Sequence, residues 1–78
     1  MVYCKLKERI KDGALYLYGG ETDDLTGEIK FANDGKSFDI IKEPQKSDVY
    51  LRSLNRLFGK YKAEFSQGKF EDKLSYEC

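Results

Sequence analysis

Six side chains in the first eighteen residues alternate ring and cation. Tyr3, Lys5, Lys7 and Arg9 occupy every second position of one stretch, and Tyr16 and Tyr18 repeat that spacing in the next. Interleaved on one face of a sheet, such residues stack the bases of a single strand and hold its phosphates. They can equally anchor a protein, because exposed Tyr buries a large rigid ring while its hydroxyl keeps a hydrogen bond. The plainest alternative is a solvated face on which the rings cover the stems of neighbouring Lys and Arg. Glu28, Asp39 and Glu77 are expected to share this face and weaken its field.

The next cluster is acidic. In LYLYGGETDDLTGEIKF, from Leu15 to Phe31, Gly19-Gly20 leads into Glu21, Asp23, Asp24 and Glu28. A phosphate cradle needs several glycines and a lysine entering a helix N-terminus, and here carboxylates follow instead. A calcium loop needs ligands at regular alternate positions closed by a bidentate carboxylate, a spacing that Glu21, Asp23, Thr26 and Glu28 match only loosely. The stretch therefore reads as a long turn whose Asp side chains cap backbone amides. It is also an acidic spot for a basic partner.

Absences narrow the chemistry. The chain has no histidine, which removes the usual base of a Ser or Cys nucleophile and the commonest zinc ligand. Its two cysteines, Cys4 and Cys78, cannot close a structural zinc site or form a framework of several bridges. Both are expected as buried thiols, and no metal or cofactor is expected. A domain of 78 residues has little room to enclose a substrate, so no enzymatic activity is expected either. The 14 basic and 14 acidic residues cancel, so any electrostatic partner must meet a local patch. The N-terminus is charged from Lys5 onward and no apolar window approaches a membrane span, which points to a soluble protein of the cytoplasm.

The elements that must position these residues follow from periodicity. Val2 to Ile10 alternates, with Val2, Cys4, Leu6 and Ile10 on one side and the ring-and-cation set on the other. Asp12-Gly13 suits a two-residue type I′ turn. That turn would oppose Ile10 to Leu15, Arg9 to Tyr16 and Lys7 to Tyr18, placing Leu15 and Leu17 inside. Asp34-Gly35 repeats the signal, opposing Phe31 to Phe38, Ile29 to Ile40 and Lys30 to Asp39, so that apolar meets apolar and the charges pair. From Tyr50 to Phe65 apolar residues recur at three and four, predicting an amphipathic helix over residues 47–66 with Ser47 as N-cap and Gly68 just past its end. Arg52, Arg56 and Lys60 form a basic stripe on its far side. The tail through Leu74, Tyr76 and Cys78 alternates again as a fifth strand.

The expected fold is thus one α+β domain over residues 1–78. An antiparallel sheet of four to five strands, β-β-β-β-α-β in order 5-1-2-3-4, packs one face on the helix. Its core should hold Leu6, Ile10, Leu15, Leu17, Ile29, Phe31, Phe38, Ile40, Leu54, Leu57, Phe58, Tyr61 and Leu74. Cys4 and Cys78 should lie near the same end of adjacent strands. The function that follows is a small non-catalytic module that engages another protein, or a second copy of itself, through an open face of Tyr3, Lys5, Lys7, Arg9, Tyr16 and Tyr18 or through a strand edge. The alternative is a single-stranded nucleic-acid binder using the same face.

Overall fold

The computed structural model describes residues 1–77. Strands β1 (Val2–Ile10), β2 (Gly13–Gly19), β3 (Gly27–Ala32) and β4 (Phe38–Lys42) precede helix α1 (Leu51–Ser66), and β5 (Lys73–Tyr76) follows it. All five strands pair antiparallel in the order β4-β3-β2-β1-β5. This is the expected α+β arrangement, with β5 beside β1, and α1 packs on one face, termed inner below.

Next to its turn the β3–β4 hairpin has the expected register: Phe31 faces Phe38, Ile29 faces Ile40 and Lys30 faces Asp39; beyond them a bulge takes up Ile41, so that Glu28 faces Lys42. Its alternation leaves no choice, since Ile29, Phe31 and Phe38 are apolar while Glu28, Lys30 and Asp39 are charged. The turn is wider than expected. Ala32 N–H donates to the Ser37 carbonyl, closing four residues, and only Gly35 takes a positive φ, of 67°. The Lys30 ammonium bonds Asp12 at 3.0 Å rather than Asp39.

The β1–β2 hairpin departs from its expected register. Ile10 pairs with Gly13 across a Lys11-Asp12 connection, and a bulge between Leu6 and Glu8 takes up Lys7. Beyond the bulge Leu6 faces Tyr16 and Cys4 faces Tyr18. The shifted turn moves the pairing by two and keeps Ile10 on the face of Leu15 and Leu17, whereas the bulge switches that face relative to Val2, Cys4 and Leu6, because one extra residue reverses the alternation. Tyr16 and Tyr18 consequently point inward and are buried, whereas Ile10, Leu15 and Leu17 are half-buried on the outer face.

The core is built around aromatic rings. Phe31 contacts Phe65 with centroids 4.7 Å apart and meets Tyr16 edge-on at 5.5 Å, and Phe70 stacks on Phe65 at 5.2 Å. Such pairs add about 0.5–1.5 kcal/mol beyond the area they bury. Val2, Cys4, Ala14, Ile29, Leu54, Leu57 and Leu74 complete it, with Leu6, Phe38, Phe58 and Tyr61 packed at its margin. Ile40 belongs to the expected core but is 41% exposed, because it sits on the edge strand.

The helix starts later than its apolar stripe suggests. Tyr50 occupies the N-cap without a side-chain cap, and Ser47 bonds elsewhere. Its C-terminus ends as expected. Gly68 takes φ 76°, its N–H donates to the Phe65 carbonyl, and Lys69 N–H donates to the Glu64 carbonyl, which is the paired closure of a Schellman motif. Among the described residues no helix is long and apolar enough to cross a membrane.

Candidate functional site

The outer face is roofed at one end by the loop from Gly20 to Thr26. The loop lies close because Gly19 carries no side chain: the Asp24 carbonyl fills the space that a Cβ on Gly19 would need. A knot of hydrogen bonds holds it there. The Asp24 carboxylate, 2% exposed, accepts from the Thr26 hydroxyl (2.7 Å), the Ser47 hydroxyl (2.7 Å) and Lys46 N–H (3.0 Å). Ser47 Oγ in turn accepts Gly20 N–H at 2.8 Å, and Thr26 Oγ1 accepts Gln45 N–H at 2.7 Å. Hydroxyl donors, Ser47 foremost, hold the Asp24 carboxyl below the usual carboxylate range. Asp24 thus clamps the β2–β3 loop to the segment entering α1; the Asp residues were expected to cap the loop's own turn amides, whereas the amide that Asp24 accepts is that of Lys46 in the distant segment.

Between this roof and the β1–β5 ladder lies a groove of about 390 Å³, within the range of about 300–1,000 Å³ typical of ligand sites. Tyr3, Lys5, Lys73 and Ser75 lie along its floor, while Thr22 and Leu25 form its wall. The ladder sets the floor: Tyr3 stands opposite Ser75, and Lys5 stands directly opposite Lys73. The Tyr3 hydroxyl donates to Glu77 Oε1 at 3.1 Å, and its pKa is raised by burial and by that carboxylate. A neighbouring depression beyond Tyr3 is lined by Glu21 and Asp23.

The six residues expected to form one surface are therefore divided. Tyr3 and Lys5 share the groove. Lys7, in the bulge, forms an ion pair with Glu28 that raises its own pKa and lowers that of Glu28. Arg9 turns toward the sheet margin, where Nη2 donates to the Phe70 carbonyl at 2.9 Å. The Tyr16 hydroxyl donates to the Glu71 carbonyl at 2.6 Å, which satisfies its polar tip inside the core. Burial raises the pKa of both Tyr16 and Tyr18. The continuous Tyr-rich face is absent, and its two central rings serve packing.

Sequence reasoning missed Thr22, Leu25, Lys73 and Ser75 as neighbours of Tyr3 and Lys5. The pairing of β5 with β1 implied Lys73 and Ser75 once the order was known. The loop's fold over Gly19 had no periodic signal. Cys4 is buried, and burial pushes its thiol up to about 12. Its expected neighbour Cys78 lies outside the described residues. No family model matches the chain, and neither a curated protein nor a solved structure matches it.

Proposed function

We propose that the domain is a non-catalytic binding module that takes up an extended segment of another protein along the free edge of β4. One observation carries this reading. From Asp39 to Lys42 the edge strand is exposed, and it presents Ile40 at 41% and Ile41 at 55% exposure. Edge strands are normally blunted by charge, brevity, bulges or cover, since their unpaired N–H and C=O groups recruit further strands; in β4 a bulge takes up Ile41, so the regular part of the free edge is Phe38 to Ile40. Two large apolar side chains between Asp39 and Lys42 instead suit strand addition, in which the backbone gives affinity and alternate side chains give specificity. The matching segment carries apolar residues beside Ile40 and Ile41, a basic residue toward Asp39 and an acidic one toward Lys42. A module with a buried Cys4 thiol and only two cysteines in the chain suits a reducing cytoplasm.

The nucleic-acid reading loses support here, because two of its three stacking rings, Tyr16 and Tyr18, are inside. Selection from a displayed library of extended peptides tests the β4 reading. Binders should follow the charge pattern above and slow hydrogen exchange at the amides of Asp39 to Lys42, and Ile41→Lys should reduce their affinity at least tenfold. Selected peptides that leave those amides exchanging at the free rate would refute it, as would a concentration-dependent dimer that occupies this edge with a second copy.

A further inference from the structure

We propose that the groove between the Gly20–Thr26 loop and the β1–β5 ladder binds an organic phosphate monoester, independently of the β4 edge. The argument begins with an electrostatic conflict. Lys5 and Lys73 are directly opposed on adjacent antiparallel strands, where like charges destabilise a sheet. Both are exposed, and neither ammonium pairs with a carboxylate among the described residues. The carboxylates on this part of the sheet are engaged: Glu28 takes Lys7, and Glu77 accepts from Tyr3. A dianion placed between the two ammonium groups turns this repulsion into attraction.

The groove also selects what the anion is attached to. Two adjacent ammonium groups attract a dianionic phosphate monoester more strongly than a singly charged carboxylate, and each can serve it as a point-charge donor. Tyr3 offers a ring and Leu25 an apolar wall for an organic body, and Thr22 and Ser75 add hydroxyls. Beyond Tyr3, Glu21 and Asp23 repel a second phosphate and accept hydrogen bonds. The ligand therefore lies with its phosphate at the lysines and a donor-bearing end toward the carboxylates. A flat base with exocyclic amines, as in a nucleoside monophosphate, meets these requirements.

Titration of the intact protein with adenosine monophosphate, followed by backbone amide shifts, tests this. Saturable shifts are expected at Tyr3, Lys5, Thr22, Leu25 and Lys73, with inorganic phosphate at least tenfold weaker because it lacks the body. Lys5→Met and Lys73→Met should each weaken binding about tenfold. The variant Lys73→Glu separates site from fold: it should abolish binding while raising Tm by a few degrees, as the opposed lysines become an opposite pair. Equal affinity for inorganic phosphate, shifts insensitive to both Met variants, or a Lys73→Glu protein less stable than the parent would each overturn the proposal. A single-stranded oligonucleotide that binds these residues more tightly, with a salt dependence of several phosphates, would assign the groove to a polymer instead.

Discussion

The two hairpins carry the same Asp-Gly dipeptide, and only one has the register that the dipeptide implies. In β3 each phase of alternation is chemically distinct, Ile29 and Phe31 against Glu28 and Lys30, so a slip beside the turn would bury Lys30 or expose Phe31, and the bulge at Ile41 comes only after Phe38, Asp39 and Ile40 have paired. In the β1–β2 hairpin strand β2 is apolar in both phases: Ala14, Tyr16 and Tyr18 against Leu15 and Leu17. Either phase satisfies the hydrophobic effect, so packing decides. Tyr18 finds room because the residue opposite it is Gly27, where its ring and Pro44 fill the space of a missing Cβ. Tyr16 reaches the Glu71 carbonyl with its hydroxyl. Register is strongly specified where the phases differ in polarity, and elsewhere it follows from steric detail across strands.

The most forceful way to break this comparison is to truncate one residue from each phase of β2. Tyr16→Ala should cost about 3–5 kcal/mol, the range for deleting a buried aromatic side chain, whereas Leu17→Ala, at a half-buried position on the outer face, should cost about 1 kcal/mol or less. Denaturant unfolding measures both. If the alanine variant of Tyr16 is too unstable to measure, Tyr16→Phe isolates the hydroxyl and should cost about 1 kcal/mol. A larger loss at Leu17 than at Tyr16 would show that the two faces of β2 are reversed.

What was legible follows the same division. The strand order, the second hairpin, the inward face of α1 and the Gly68 stop could be read because each rests on a periodic pattern or a single conformational requirement. Helix onset could not, since the apolar stripe says nothing about Ser47, which the Asp24 knot recruits from a distant loop. The ring-and-cation surface was misplaced for one reason: Lys7 sits in a bulge, and nothing local in KLKER marks an extra residue. Of the groove, Tyr3 and Lys5 were named and the rest depended on contacts distant in sequence.

Removal of Lys7 sharpens the point at moderate cost. Val2, Cys4 and Leu6 lie on the inner phase before the bulge, and Glu8 and Ile10 lie on the outer phase after it. Deleting Lys7 therefore gives a regular ladder with every other residue on its present face. The variant should fold, losing the Lys7–Glu28 pair and some local twist, with Tm lowered by roughly 5 °C. Deleting Lys30 from β3 should instead abolish folding, because it would turn one of Ile29 and Phe31 outward. Circular dichroism and amide spectra distinguish the outcomes. If both deletions unfold the chain, the bulge residue is indispensable for more than register.

The smallest expected effect concerns the clamp that holds the loop over the open end of the first hairpin and ties it to the residues leaving the second. Asp24→Asn keeps the size of the side chain. Its amide oxygen can still accept from Lys46 N–H or Ser47, and its amide nitrogen can donate to Thr26. At neutral pH the variant should therefore lose only a few degrees of Tm. The pH dependence is more informative. Because the folded carboxyl titrates below its unfolded value of about 3.9, the unfolded chain binds the proton first as pH falls. The stability contributed by Asp24 is fully present above about pH 4 and is lost as pH drops through the folded value. Asp12 and Glu28, also lowered by their lysines, retain their share of that acid dependence in the variant. Asp24→Asn should thus flatten the fall in Tm below pH 4 without removing it, and free the amides from Gly20 to Thr26 for faster exchange. An unchanged acid limb would mean that the carboxylate is not what fastens the roof of the groove.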